Sequence, residues 1–222
     1  MPGAFTLVIE TSTPHASIAL VGPDGVIEQR GFCSDRNHNA MLFEPLQELL
    51  AGRPEVGLVL VGSGPGSYSG TRVGIAAAQG VAIALGCPAV AVPSVLAVPS
   101  GDGGAPCLAI GDARRGTFWS ARMENHRLID EPALCDALGL EDMVSQAVAE
   151  GVAVFAFEDP ARFPIAENGG VKLEFPDATR LWSAWSGTDV ETRRKWSAEI
   201  PQPIYLKPPH ITPGKRAPLV GH

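Results

Sequence analysis

Val61-Gly62-Ser63-Gly64-Pro65-Gly66-Ser67-Tyr68-Ser69-Gly70-Thr71-Arg72-Val73-Gly74-Ile75 decides the reading of this chain. It joins an apolar strand, Val56 to Val61, to a long apolar helix predicted from Thr71 to Leu85. Glycine lets the backbone bend sharply and brings bare N–H groups to a helix N-terminus. Such a loop serves as an anion cradle or as a tight turn where two bodies approach closely. The common phosphate motifs do not fit it. A P-loop needs Lys after its last glycine, and here Thr71 and Arg72 follow Gly70. A dinucleotide fingerprint needs an acid at the end of the next strand, and Cys87 to Val92 runs into Pro93. Ser67 and Ser69 read as turn and cap residues rather than nucleophiles, since no G-x-S-x-G elbow is present.

Working outward, Phe5 to Ile9, Ala16 to Val21 and Val26 to Phe32 read as an antiparallel meander, with Pro23-Asp24-Gly25 as one turn. A helix capped by Asn37 or Asn39 runs to Leu50 and is stopped by Gly52-Arg53-Pro54. The resulting order β-β-β-α-β-α-β is that of a ribonuclease-H-like half. Pro99 to Pro106 breaks the composition and marks a boundary, giving a first lobe over 1–100 and a second over 101–210. In the second, Cys107 to Ile110, Thr117 to Met123 and Val152 to Phe157 read as strands and Leu138 to Glu150 as a helix. A further helix is expected within Arg180 to Lys195, a strand-like piece at Ile204 to Leu206, and a mobile tail over 211–222. Residues 158–180 carry no clear period.

The helix after the glycine loop has Gln79 as its only polar side chain between Val73 and Leu85. A helix apolar all round must be covered on every side. Gly74, Ala78 and Ala82 recur at four-residue spacing and form a flat strip that a second helix can approach. Two readings stay open: a helix sandwiched inside one domain, or one that meets another molecule.

The chain has 222 residues, 45% apolar and 18% charged, with a formal net charge of −7. That composition describes a folded globular protein and a poor autonomous nucleic-acid binder. Cys33, Cys87, Cys107 and Cys135 form no C-x-x-C pair, and the histidines show no H-x-x-x-H spacing. Neither a protein-held metal nor a disulfide framework is expected. His38 reads as a capping or solvated residue. The N-terminus lacks a charged n-region and Val73 to Leu85 is too short to span a bilayer, so a cytoplasmic protein off the membrane is expected.

Several of these strings together resemble the TsaB (YeaZ) family, the accessory subunit of the bacterial tRNA threonylcarbamoyladenosine machinery. They are Leu7 to Thr13 with Ala16 to Leu20, Arg36-x-His38, Gly64 to Gly80, Ala109 to Arg114 with Thr117-Phe118-Trp119, and Pro203 to Leu206. Departures exist: Glu10 stands where the family usually has Asp, Gly111 is extra, and Phe157 to Pro160 replaces the usual Gly-Asp-Gly turn.

The resemblance implies an α/β, two-lobed actin-like (ASKHA, ribonuclease-H-like) fold with a reduced or divergent second lobe. Actin-like ATPases carry an acid-x-Gly hairpin after the first strand of each lobe. Here Ser12 and Arg114 stand where those glycines belong. Glu10, Thr11, Ser12, Gly64, Gly66, Ser67, Gly70, Thr71, Asp112 and Arg114 thus form a vestigial phosphate loop, with no cofactor and no catalytic residue. The family's partners are a catalytic TsaD homologue and a TsaE-type ATPase, with tRNA reached only through the complex and a homodimer formed alone. Its contact surface is the first two helices, which places Leu42, Leu46, Leu49, Arg72, Gly74, Ile75, Ala78, Gln79 and Ala82 at the interface. On that reading Ala78→Arg or Gly74→Leu leaves the lobe folded and abolishes pairing. The alternatives are an active actin-like phosphotransferase, an M22-type peptidase homologue, or a divergent dimerising paralogue.

Overall fold

The computed structural model describes residues 5–33, 38–52, 55–165 and 170–206, with backbone alone for 38–40. The expected cap at Asn37, the side chains of His38 and Asn39, the stop at Arg53-Pro54 and the tail 211–222 lie outside what is described.

The first sheet is built from β1 (Phe5–Glu10), β2 (His15–Gly22) and β3 (Gly25–Cys33), followed after α1 (His38–Leu50) by β4 (Val56–Gly62). Then α2 (Tyr68–Leu85) leads to β5 (Ala89–Val92). The strand order is β3-β2-β1-β4-β5, antiparallel through the meander and parallel from β1 to β5.

Short turns of helix over Ser94–Leu96 and Pro99–Gly104 lead to the second sheet. It contains β6 (Cys107–Asp112), β7 (Phe118–Glu124), β8 (Arg127–Leu128) and β9 (Ala133–Cys135). After α3 (Ala137–Ala149) come β10 (Ala153–Ala156) and β11 (Val171–Leu173). Its order, β11-β10-β6-β7-β8 with β9 also on β7, repeats the first sheet's plan. Two such halves in one chain make the two-lobed actin-like fold. The second half is the smaller: where α2 joins β4 to β5, only Pro160–Arg162 is helical among the described residues between β10 and β11.

Alternation along the strands sorts their side chains between two layers. Leu7, Ile9, Ile18, Leu20, Val59 and Val61 pack with α1 and α2. Val8, Ala19, Val21 and Leu60 face the opposite side, with Phe155, Ala178, Leu181 and Ala184.

The last two helices, α4 (Ala178–Gly187) and α5 (Val190–Ala198), replace the single helix expected around Arg180 to Lys195. Asp177 and Asp189 cap them, each accepting backbone N–H groups of the first turn. Dividing the chain at residue 100 assigns both to the second lobe, yet α4 packs on β1, β2 and β4, and α5 on β5. Trp185 and Trp196 stack at 6.3 Å between ring centres and tie the pair together. Ile204 to Leu206 is not a strand. The segment is extended, and the Ile204 N–H donates to the Ser63 carbonyl at 2.9 Å.

Candidate functional site

The glycines of the loop face the β1–β2 hairpin of their own lobe. A Cβ on Gly62 would lie 1.9 Å from Oε2 of Glu10, and one on Gly66 2.4 Å from the Ser12 carbonyl oxygen. On Gly70 it would lie 2.2 Å from the Thr11 carbonyl oxygen, and on Gly74 2.2 Å from Thr11 Oγ1. Real Cβ atoms do not approach this closely, so these positions demand glycine for packing. Hydrogen bonds close the same seam. The Ser67 N–H donates to the Ser12 carbonyl at 2.6 Å, and Thr11 Oγ1 donates to the Gly70 carbonyl at 2.8 Å.

Several N–H donors of the loop are engaged within the lobe. The Gly64 N–H donates to Ser94 Oγ at 2.9 Å, and the Gly70 N–H to Ser67 Oγ at 3.3 Å. Ser67 caps α2, which begins at Tyr68, earlier than the expected start at Thr71. The Ser12 N–H donates to Glu10 Oε1 at 2.7 Å. Glu10, Thr11 and Ser12 are fully buried, and Thr71 nearly so. Burial pushes the Glu10 carboxyl up from its ordinary range, although Ser12 and Ser94 oppose the rise. Gly62, having no side chain, leaves the space that the Glu10 carboxylate occupies.

The lobes enclose a cleft of about 560 Å³ lined by Ser12, Thr13, Gly66, Ser67, Asp112 and Arg114, with Glu158 and Arg162 on the second-lobe side. Glu10 is not among its lining residues. Asp112 turns inward on its own hairpin, where Oδ1 accepts the Arg114 N–H at 2.6 Å and Oδ2 lies 3.6 Å from the Arg114 guanidinium. Burial, and then the nearby Asp112 charge, hold the Glu158 carboxyl above its usual range. The extra Gly111 lies under an aromatic ring: a Cβ there would sit 2.2 Å from Nε1 of Trp119. Among the described residues no group of His, Cys, Asp and Glu is arranged to hold a metal ion. No helix among them is long and apolar enough to cross a membrane.

The helical face requires a correction. Gly74, Ile75, Ala78 and Ala82, expected as a contact strip, are buried against the sheet, as are Leu42, Leu46 and Leu49 of α1. They form the lobe's own core. The solvent-facing strip of α2 is instead Ala76, Gly80 and Ala84, one register over. A Cβ on Gly80 would meet nothing within 4 Å. With Phe43, Val73 and Ala77 this strip lines an apolar trough of about 650 Å³ between α1 and α2, and Leu46 closes its floor. Phe43 is 56% exposed, a large aromatic side chain left in water. Arg72 also lines the trough, at its edge, where its guanidinium donates to the Tyr205 hydroxyl, and Gln79 lies on the flank away from α1, donating to the Pro201 carbonyl. The missed residues carry the same four-residue spacing as the buried ones, so spacing alone does not separate them.

A family model described as TsaD, tRNA N6-adenosine threonylcarbamoyltransferase, matches residues 33–209. The Escherichia coli protein named tRNA threonylcarbamoyladenosine biosynthesis protein TsaB is 30% identical over 123 residues. That match covers 51% of this chain and 53% of the relative. The Bacillus subtilis TsaB is 32% identical, covering 51% and 52%. This chain belongs to the TsaB/YeaZ family. Its match spans about half the length of those curated TsaB proteins. An uncharacterised Mycobacterium tuberculosis protein is 30% identical over more of both chains, 70% of this one and 79% of the other. In structure, a YeaZ-like protein from Pseudomonas aeruginosa superposes with a TM-score of 0.70 at 23% identity, over 92% of this chain and all of that one. This likeness carries the TsaB/YeaZ fold through the second lobe.

Proposed function

We propose that this chain is a non-catalytic subunit that supports a TsaD-type transferase in threonylcarbamoylation of N6 of adenosine 37 in ANN-decoding tRNA. The observation that carries the reading is the solvent-facing strip Ala76, Gly80 and Ala84 beside exposed Phe43. Small residues on an apolar helix let a partner helix approach closely, and the lobe itself leaves this strip bare. The engaged N–H groups of the glycine loop and the sealed Glu10 support a subunit without phosphate chemistry of its own. The names carried by the curated relatives support the pathway.

In this reading catalysis belongs to the partner, a TsaE-type ATPase joins the assembly, and tRNA is reached through the complex. The acidic balance of the chain, −7, suits that indirect role. Alone, the trough closes on a second copy. The test is light scattering of the purified chain, alone and mixed with the TsaD-family subunit of the same organism. A homodimer that converts to a stable heteromer is expected. A monomer indifferent to that partner overturns the reading.

A further inference from the structure

We propose that the extended segment Glu199–Leu206, which does not itself line the trough, forms an outer wall of the docking face along the opposite flank of α2, so that a partner subunit contacts α1, α2 and this strap at once. The inference rests on the docking reading above and adds to it a segment that follows α5, far from α1 and α2 in sequence. Three bonds tie this strap to the first lobe. The Ile204 N–H donates to the Ser63 carbonyl at 2.9 Å, Gln79 Nε2 donates to the Pro201 carbonyl at 3.1 Å, and Arg72 Nη2 donates to the Tyr205 hydroxyl at 3.0 Å. Tyr205 meets Arg72 and Pro201 meets Gln79, so the strap runs antiparallel along α2. The lengths agree: residues 72 to 79 span about 10 Å of helix, and residues 205 to 201 about 13 Å of extended chain. Continuing that register carries Ile200 toward the helical turn that holds Ile83.

Ile83 is 83% exposed and Ile200 79%, the two most exposed large apolar side chains among the described residues. At the other end, the Arg72 guanidinium lies 3.6 Å from the centre of the Tyr68 ring and 5.6 Å from that of Tyr205. Both rings remain at least half exposed. This stack sets the Arg72 charge against two aromatic faces, which makes it compatible with an apolar contact.

The helical repeat orders these parts around α2. Val73, Ala77 and Ala84 turn toward α1, Arg72 and Gln79 turn toward the strap, and Ala76 and Gly80 lie between. The bare strip is thus flanked by Phe43 on one side and by Tyr205 and Ile200 on the other. The occupant that fits is a partner subunit presenting an apolar helix pair, wide enough to reach both walls. Apart from Glu199, where the strap begins, none of the trough and seam side chains named here is acidic, in a chain of net charge −7, which suits the apolar face of a partner helix pair.

The experiment measures affinity for the TsaD-family subunit of the same organism with Ile200→Asp, Ile83→Asp and Gly80→Arg chains, together with their unfolding midpoints. Ile200→Asp and Ile83→Asp are each expected to weaken binding about tenfold or more, with unfolding unchanged because both side chains are already in water. If Gly80→Arg abolishes binding while both aspartate variants bind normally, the strap is not a wall and the docking reading alone survives. If Gly80→Arg also binds normally, the docking reading fails and this inference falls with it. Loss of self-association alone in the aspartate variants would assign the strap to contacts between copies and overturn the proposal.

Discussion

Thr11 and Gly70 hold each other by two opposed contacts: the Thr11 hydroxyl donates to the Gly70 carbonyl at 2.8 Å, and the Thr11 carbonyl fills the space where a Gly70 side chain would stand. The glycine loop is a close-packed seam between the β1–β2 hairpin and the start of α2. Gly62, Gly66, Gly70 and Gly74 are required by packing against residues 10–12, and Gly64 by its positive φ.

The first prediction separates two glycines of one helix. Gly70→Ala puts a methyl into the Thr11 carbonyl and is expected to destabilise the chain by about 1–3 kcal/mol. Gly80→Ala enters open space in a helix interior and is expected to stabilise the isolated chain by about 0.5–1 kcal/mol. Urea unfolding of both variants checks this. Equal effects of the same sign would contradict the packing described.

A second prediction corrects the mutational expectation drawn from spacing alone. Ala78 is fully buried, so Ala78→Arg places an unpaired charge in the core and is expected to unfold the lobe. Gly80→Arg, on the solvent strip, leaves folding intact and removes partner binding. Circular dichroism and light scattering on the two variants distinguish loss of fold from loss of association.

The third concerns pH. Burial raises the Glu10 carboxyl, so its contribution to stability is fully present below the ordinary glutamate value of 4.5 and is lost as pH rises through the higher folded value. Glu10→Gln cannot lose a proton. Relative to the unmodified chain it should therefore gain stability as pH rises above about 4.5. Denaturant midpoints across pH 5 to 9 read the difference, and parallel curves would show that this carboxyl keeps its ordinary titration.

A fourth addresses α4. Asp177 accepts N–H bonds from Thr179 and Arg180, both at 2.9 Å, and pairs with the Arg180 guanidinium. Burial alone would raise this carboxyl, but these partners outweigh it and hold it below the usual 3.8. Asp177→Ala is expected to cost about 1–2 kcal/mol, read as a lower unfolding midpoint at neutral pH. The difference should shrink as pH falls below 3.8, where the native aspartate is also losing its charge.

Much of the first lobe was legible because its strands alternate: Leu7 and Ile9 go to one layer and Val8 to the other. The orientation of α2 was not. Its small residues repeat as Gly74, Ala78, Ala82 and also as Ala76, Gly80, Ala84, and only Gln79 breaks the apolar run. Without a polar stripe nothing local says which repeat meets water, and the sheet beneath decides. The break between α4 and α5 had a local signal, Gly187-Thr188-Asp189, with Asp189 as a cap. Residues 158–180 stayed opaque because a short turn of helix and a three-residue strand are too brief to show a period. The degenerate hairpins were visible as Ser12 and Arg114. That Glu10 is sealed away from the cleft depends on Gly62 and Ser94, distant in sequence.

The packing of α4 across the first sheet sets a timetable for biosynthesis. All five strands of that sheet have been made once residue 92 is polymerised, but Val8, Ala19, Val21 and Leu60 await cover from Ala178, Leu181 and Ala184. A nascent chain stalled between these points carries a finished sheet with one apolar face open to water. Synthesis of α4 therefore governs whether this sheet leaves the ribosome free or in the care of a chaperone.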